Sequence, residues 1–157
     1  MAVLAAAPVA VLVDIRRHPG SRRHPQFNRG PLTAALLAAG IGYEWQGATL
    51  GGRRSRVPGS RHTAPPGEAL AGYADHMDTP EFRTAVDKIN KNTAIMCAET
   101  DWRHCHRRLV ADALTLRGVE VVHLIDVGRS EAHRLSPTVR RGPDGWPVYD
   151  EPDTLIP

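Results

Sequence analysis

The chain has 157 residues, of which 41% are hydrophobic, and a formal net charge of +3, so it has room for one ordinary core and not for two domains. Two cysteines cannot form a disulfide framework, and neither a secretion signal nor a membrane span is recognisable, so we expect a cytoplasmic protein with reduced thiols. Residues 1–61 carry nine arginines against two acidic residues, whereas residues 62–157 carry eleven basic against fifteen acidic residues. The basic first segment suits an anionic partner, although GC-rich coding would also produce arginine in place of lysine.

The first part of the chain predicts a strand, a loop, a helix and an extended segment. Val9–Val13 is a continuous apolar run rich in β-branched residues, which is typical of a buried parallel strand, and Asp14 follows it. Residues 15–30 contain two prolines, two glycines and five arginines, so they predict a long loop at the carboxyl end of that strand. Pro31–Ala39 then predicts a helix, and Ile41–Leu50 an extended segment.

The second part alternates helices and strands after a loop. Residues 53–67 contain three prolines and predict an irregular loop that is mobile or ordered by a ligand. The following elements are predicted as a helix over Ala69–Met77, a helix from Thr79 and Pro80 to about Lys91, a strand over Ala94–Met96, a helix from Leu109 to Gly118 and a strand over Val119–Ile125. The predicted fold is a three-layer, Rossmann-like α/β sandwich with a mostly parallel sheet. We expect one domain over residues 1–127 and an irregular C-terminal arm over residues 128–157.

Both cysteines lie in one polar turn, Thr93–Arg108, between a predicted strand and a predicted helix. In open α/β sheets, ligands bind just outside the carboxyl ends of the strands, where helix N–H groups can donate to an anion. We therefore take this turn as the functional centre.

Cys97 is the candidate nucleophile of the turn. Its thiolate would be stabilised by the following helix N-terminus and by Arg103 or Arg107, although Glu99 and Asp101 oppose this and a buried cysteine is often inert. A zinc site is a second interpretation, with ligands from Cys97, Cys105, His104 or His106 and a loop histidine, His18, His24 or His62. The C-x7-C-H spacing is unusual for zinc, so we prefer a site without metal or cofactor.

Glu99 and His106 form the candidate acid–base pair, and either could instead be structural. Glu99 could equally hold an arginine of the first loop in a partly buried ion pair. Arg107 could bind an anionic group of a ligand or Asp14 across the sheet. We expect Asp14 to orient, the arginines to bind and Glu99 to transfer any proton.

The first loop has the composition of a surface that follows phosphate groups. Arg16 and Arg22 belong to a run of five arginines interleaved with histidines and one possible stacking ring, Phe27. A nucleotide, a nucleic acid or another anionic metabolite would fit this surface.

Several short pieces of the chain resemble, in their order and spacing, the bacterial family catalogued as domain of unknown function 488. They are Val13-Asp14-Ile15-Arg16, Pro19, Ser21-Arg22, Phe27-Asn28, Gly42-Tyr43, Leu50-Gly51-Gly52, Gly72-Tyr73, Phe82, Cys97-Ala98-Glu99 and Cys105-His106-Arg107. The resemblance covers residues 9 to about 127 and implies an α/β sandwich with a shared site, to which Ser21 and Asn28 contribute, but no reaction. Members usually open with an extra strand and helix, so either this sheet is one strand short or residues 1–10 supply a reduced substitute.

We therefore expect an enzyme that binds an anionic, nucleotide-like or nucleic-acid substrate between residues 16–28 and residues 97–107. Its catalytic residues would be Cys97, Glu99 and His106. Its substrate-binding residues would be Asp14, Arg16, Ser21, Arg22, Asn28 and Arg107. The alternative is a non-catalytic anion- or nucleic-acid-binding module that uses the same arginines.

Overall fold

A three-stranded parallel sheet lies at the centre of the computed structural model, which describes residues 1–151. Its strands are β1 (Val11–Asp14), β2 (Gly42–Trp45) and β3 (Thr93–Met96), in the order β2-β1-β3. Val11 lies opposite Gly42 in one neighbour and Thr93 in the other. The expected α/β class is confirmed at this level, and the strands predicted after residue 8 and before Cys97 are both present.

Six α-helices and two 3-10 helices, Pro25–Phe27 and Trp102–His104, accompany these strands within the described residues. In chain order, the α-helices are α1 (Ala2–Ala5), α2 (Arg29–Ala38), α3 (Gly47–Leu50), α4 (Glu68–His76), α5 (Pro80–Asp87) and α6 (Arg107–Leu116). The predicted cap of α5 is confirmed, because the Thr79 side chain accepts a hydrogen bond from the Phe82 N–H. The predicted extended segment Ile41–Leu50 is wrong in its second half, which is helical. A Cβ at Gly47 would lie 2.1 Å from the Arg16 carbonyl oxygen, so only glycine lets the chain turn this close to the first loop.

Side chains alternate along β1 and contribute to two separate core clusters. Leu12 belongs to a cluster with Leu32 and Leu36 of α2. Val13 belongs to a larger cluster formed mainly by α4, α5 and α6, which includes Phe82 and Leu109. Since neighbouring residues of a strand point to opposite faces, α2 covers one face of the sheet and α4–α6 contribute to the other.

The C-terminal part of the chain departs from its prediction in two ways. The predicted strand Val119–Ile125 is present as β4 (Val122–Asp126), but it pairs antiparallel with β5 (Arg129–Ala132) instead of extending the parallel sheet. The predicted irregular arm contains β5 and a second hairpin, β6 (Val139–Arg141) with β7 (Pro147–Tyr149), while residues 152–157 of that arm lie outside the described residues. Its aromatic residues explain the difference, because Trp146 and Tyr149 are buried in the larger core cluster.

A buried polar network also holds this segment against α6. The fully buried Asp112 carboxylate accepts hydrogen bonds from the Ser136 hydroxyl (2.6 Å) and the Tyr149 hydroxyl (2.9 Å), and it contacts His133 Nε2 at 3.0 Å. His133 Nδ1 lies 2.9 Å from Nε2 of His123, whose ring stacks on Trp102. A buried carboxylate with this many donors stabilises the docked segment, whereas an unpaired one would be costly.

Two other expectations concern the loop over residues 53–67 and the N-terminus. The loop contains no helix or strand, as predicted, but it is held by more contacts than a mobile loop implies. Asp75 of α4 accepts hydrogen bonds from the Val57 N–H and the Ser60 hydroxyl, and His62 is fully buried.

The short helix α1, and no strand, precedes β1 within the described residues. No helix in residues 1–151 is long and apolar enough to cross a membrane.

Candidate functional site

The two cysteines are neighbours in space at the carboxyl end of β3. Cys97 follows the strand directly, and its sulfur lies 2.8 Å from that of Cys105, which precedes α6. Both side chains are reduced. The Glu99 N–H donates to Cys97 Sγ at 3.2 Å, and the Arg107 N–H donates to Cys105 Sγ at 3.3 Å. The turn therefore places two sulfurs and two backbone donors at one point, next to a helix N-terminus that favours negative charge.

The contact between the sulfurs shifts the pKa values of the two cysteines in opposite directions. The hydrogen bond from Cys97, with smaller contributions from His106 and the Arg107 N–H, lowers the pKa of Cys105 well below that of an ordinary thiol, although burial opposes the change. The same hydrogen bond, together with burial, raises the pKa of Cys97 well above its ordinary value. The two thiols therefore titrate as a coupled pair, in which the contact favours one shared proton and one negative charge over two protons.

His106 packs between the cysteine pair and an aromatic wall. Its Nδ1 lies 3.8 Å from Cys105 Sγ, and its ring centroid lies 4.9 Å from that of Tyr73, whose hydroxyl donates to the Leu50 carbonyl oxygen. A Cβ at Gly52 would lie 2.9 Å from His106 Nδ1, so glycine is required for the ring to occupy this position. These contacts bring together three of the pieces on which the family resemblance depends.

Three buried nitrogen atoms at this turn have no hydrogen-bond partner within the described residues, namely Trp102 Nε1, His106 Nε2 and Arg107 Nε. Buried polar atoms are paired in most folded proteins, so three unpaired ones in the turn that holds both sulfurs are an unusual feature. Arg107 uses another nitrogen, Nη2, to donate to the Glu99 and Thr100 carbonyl oxygens, which holds the turn closed.

Glu99 lies on the outside of the turn. Its carboxylate is exposed and makes no hydrogen bond or ion pair with any residue in 1–151, so it does not form the predicted pair with His106. His106 faces inward because its ring packs on Tyr73. Cys97 is partly exposed and Cys105 is 2% exposed, so Cys97 is the sulfur that solvent can reach.

Two surface depressions lie elsewhere. One is a groove between α3 and α5 and the other is a hollow beside β5, and neither is lined by Cys97 or Glu99.

Asp14 belongs to a second polar cluster, which lies on the other face of the sheet. Its fully buried carboxylate accepts hydrogen bonds from Arg16 Nε (2.8 Å), Arg16 Nη2 (2.6 Å), the Arg16 N–H (3.0 Å) and the Tyr43 hydroxyl (2.8 Å). Tyr43 packs with the α2 core cluster, whereas Cys97 packs with the α4–α6 cluster. Burial and the hydrogen bond to Asp14 raise the pKa of Tyr43 to about 12. The hydrogen bond to Asp14 likewise raises the pKa of Arg16.

The predicted contact between Asp14 and Arg107 is therefore absent from the described residues, because each is held by other groups on opposite faces of the sheet. Asp14 lies opposite Met96 in the strand register, so Cys97 is one residue further along and points the other way. The sequence placed both residues at the same edge of the sheet but could not give this register.

Three further predicted binding residues lie in the first loop. The Asn28 side chain accepts a hydrogen bond from the Ser21 N–H at 2.5 Å, and the Ser21 hydroxyl accepts from the His24 N–H at 3.0 Å. Ser21 and Asn28 therefore shape the loop. Arg22 is exposed and pairs with no acidic residue in the described part of the chain.

The structure adds residues that the sequence did not single out. Arg54 donates from Nε to the Gly51 carbonyl oxygen, and Arg17 donates to the Arg53 carbonyl oxygen, so neither is paired with an acidic residue within residues 1–151. Burial, with a contribution from the nearby Arg17, lowers the pKa of Arg54. The sequence signal for Arg54 is the arginine pair that follows Gly51-Gly52, whereas Arg17 belongs to the run of five arginines in the first loop.

Residues 1–151 contain no group of three or more histidine, cysteine, aspartate or glutamate side chains placed to hold a metal ion. Of the histidines considered as zinc ligands, His62 is buried against Asp78 and the Tyr149 N–H, and the His104 side chain is 82% exposed.

The model of the family described as domain of unknown function DUF488 matches residues 1–114. The chain belongs to the DUF488 family. No curated protein and no solved structure matches it. For this member of DUF488, the matched residues include both polar clusters and the whole Cys97–Arg107 turn, so both clusters lie within the part that defines the family.

Proposed function

We propose that the protein is a thiol-dependent enzyme that acts on an anionic substrate of nucleotide-like or nucleic-acid character. The observation that carries this proposal is the 2.8 Å contact between Cys97 and Cys105, with one backbone N–H donating to each sulfur. A structural pair of buried thiols would need neither the donors nor the stabilised negative charge.

In this proposal Cys97 is the nucleophile and Cys105 is its proton acceptor. The proton on Cys97 moves across the contact to Cys105, and the resulting Cys97 thiolate attacks the electrophilic centre of the substrate. Cys105 then returns the proton to the leaving group as the bond to it breaks. Water then attacks the covalent intermediate, the exposed carboxylate of Glu99 accepts a proton from that water, and Glu99 passes the proton to the Cys97 sulfur as its bond to the substrate breaks. His106 positions Cys105 and does not act on the substrate.

Three arginines support an anionic substrate. Arg17, Arg54 and Arg107 donate hydrogen bonds only to backbone carbonyl oxygens, so no carboxylate of the described residues neutralises them. Arg107 lies in the turn, and Arg17 and Arg54 adjoin the Gly51-Gly52 segment that packs on the His106 ring. Together these positive charges would draw a phosphate or carboxylate group toward Cys97.

An alkylation experiment tests this proposal without knowledge of the substrate. Iodoacetate and iodoacetamide carry the same reactive carbon, but only iodoacetate is an anion. We expect iodoacetate to modify Cys97 faster than iodoacetamide does, and inorganic phosphate to protect Cys97 from both. Arg54→Gln should remove the preference for iodoacetate, whereas Arg134→Gln, which changes an exposed arginine far along the chain, should keep it. Equal rates with both reagents and no protection by phosphate would contradict the proposal.

A non-catalytic nucleic-acid-binding module is the second candidate, and the first loop favours it. Arg22 and Arg23 are exposed, and the Phe27 ring is 45% exposed with the His24 ring packed against it. These groups could follow phosphates and stack on a base. Cys97→Ser separates the candidates, since a binding module would keep its full affinity for single-stranded oligonucleotides while an enzyme would lose turnover.

We also infer the three-layer α/β sandwich and a cytoplasmic location. The two core clusters on opposite faces of the sheet support the sandwich. Two cysteines are too few for a disulfide framework, which supports a reducing compartment.

A further inference from the structure

We propose that Cys97 and Cys105 form a reversible disulfide when a hydroperoxide oxidises the turn. The sulfurs are 2.8 Å apart, and a disulfide bond requires about 2.05 Å, so a small movement of either side chain closes the bond. This activity goes beyond the proposed function, because it requires neither an anionic substrate nor the arginines that would bind one.

The turn already holds the two cysteines together in the reduced protein. The seven residues between them are ordered by Arg107, which donates to the Glu99 and Thr100 carbonyl oxygens, and by Asp101, which accepts from the Arg103 N–H at 2.9 Å. Trp102, in the middle of the turn, is 6% exposed and stacks on His123. The entropy of closing this loop is therefore lost on folding and not on oxidation.

The difference in exposure between the sulfurs assigns their roles. Cys97 is partly exposed, so a small oxidant can reach it, whereas Cys105 is 2% exposed and lies behind it. Cys97 is thus the residue that the peroxide oxidises, and Cys105 is the residue that resolves the product. Among the residues described, no third cysteine competes, since the whole chain contains two.

The chemistry balances with the hydroperoxide as the named oxidant. The Cys97 thiolate attacks the outer oxygen of the O–O bond, which breaks, and yields a sulfenic acid and an alkoxide. The alkoxide takes the proton from Cys105 and leaves as the alcohol. The Cys105 thiolate then attacks the sulfur of the sulfenic acid, and hydroxide departs and is protonated to water. The thiol pair loses two electrons, and the peroxide gains them. An external dithiol reverses the bond by thiol–disulfide exchange.

The test is a titration of the folded protein with one equivalent of hydrogen peroxide, followed by intact-mass and thiol measurements. We expect both thiols to disappear together, the mass to fall by two hydrogens, and dithiothreitol to restore the starting mass. In Cys105→Ser the resolving sulfur is absent, so dimedone should trap a sulfenic acid on Cys97. Cys105→Ala serves as a second variant if the serine side chain disturbs the buried position. In Cys97→Ser, oxidation should be slower than in Cys105→Ser, because the remaining sulfur is buried.

Two results would overturn the inference. One is a wild-type product that gains oxygen atoms and keeps its second thiol, which would mean that Cys105 does not resolve the sulfenic acid. The other is a folded protein whose thiols react no faster than those of the urea-unfolded chain. Neither result bears on the iodoacetate preference and phosphate protection, so the disulfide and the proposed enzyme can fail separately.

Discussion

The Asp14 cluster and the Cys97–Cys105 cluster lie at the same edge of the sheet, but the polar groups of the first are paired and several of those of the second are not. The Asp14 carboxylate receives four hydrogen bonds from Arg16 and Tyr43 and is fully buried. The Cys97–Cys105 cluster keeps one partly exposed sulfur, an unpaired Glu99 carboxylate and three buried nitrogens without partners among the described residues. A cluster whose polar groups are all paired stabilises the fold, whereas one with unpaired groups retains the capacity to bind and react. The sequence pieces shared with the family include residues of both clusters, and only the hydrogen bonds seen in the structure separate the structural residues from the reactive ones.

The largest expected effect comes from a substitution in the cluster formed by Asp14, Arg16 and Tyr43. Asp14→Ala leaves the Arg16 guanidinium, whose side chain is 10% exposed, without its counter-ion, and we expect a loss of about 3–5 kcal/mol in the free energy of unfolding measured by urea denaturation. The matched control is Asp87→Ala, which removes an exposed partner of Arg117 and should cost about 0–1 kcal/mol. A loss from Asp14→Ala no larger than that of the control would mean that Asp14 is not the structural centre of its cluster.

The next effect concerns the reactive cluster. Cys105→Ser removes the sulfur that accepts the Cys97 proton across the 2.8 Å contact, so we expect the rate of Cys97 alkylation at pH 7 to fall by about tenfold. The free energy of unfolding should change by only about 1 kcal/mol, since serine nearly matches cysteine in volume. Peptide mapping after timed iodoacetamide treatment measures the first quantity and urea denaturation the second. An unchanged alkylation rate would remove Cys105 from the chemistry.

A smaller effect separates His106 from the sulfurs. Gly52→Ala would place a Cβ 2.9 Å from His106 Nδ1, so the ring must move away and its contribution to the low pKa of Cys105 should weaken. A higher pKa makes Cys105 a better acceptor of the shared proton, so we expect about a threefold rise in the alkylation rate of Cys97, an effect on the order of 0.7 kcal/mol. Gly20→Ala is the control, because a Cβ at Gly20 meets nothing within 4 Å. Equal rates in the two variants would show that the position of His106 does not matter.

The fold was predictable where local chemistry decides it. The apolar run before Asp14 and the Thr79-Pro80 start of α5 carry their own signals, and both are confirmed. The division of the site into two clusters depends on the register that sets Asp14 opposite Met96, and no local pattern encodes that register. The strands β6 and β7 were missed because each has three residues and no visible alternation, and the burial of β7 depends on contacts with distant residues such as Asp112.

The smallest expected effect is a loss of stability in acid, which comes from the buried and hydrogen-bonded His62. Burial lowers the pKa of His62, whose Nδ1 accepts the Tyr149 N–H, against an ordinary value of 6.5. As the pH falls, the His62 imidazole is therefore protonated in the unfolded chain before it is protonated in the folded protein. The stabilising contribution of neutral His62 is present above pH 6.5 and is lost as the pH falls below that value. We expect a lower urea midpoint at pH 5.5 than at pH 7.5. His62→Gln should reduce that difference, and an equal difference in the variant would assign it to other groups.

The pH dependence of Cys97 alkylation tests the central claim most directly. If the two sulfurs share one proton, the charge of the pair does not change near neutrality, and the rate should be almost constant from about pH 6 to pH 8. In Cys105→Ser the remaining thiol should behave as an isolated one, with a rate that rises about tenfold per pH unit toward its pKa. A wild-type rate that rises in the same way as that of Cys105→Ser would contradict the shared proton and, with it, the assignment of this turn as a reactive site.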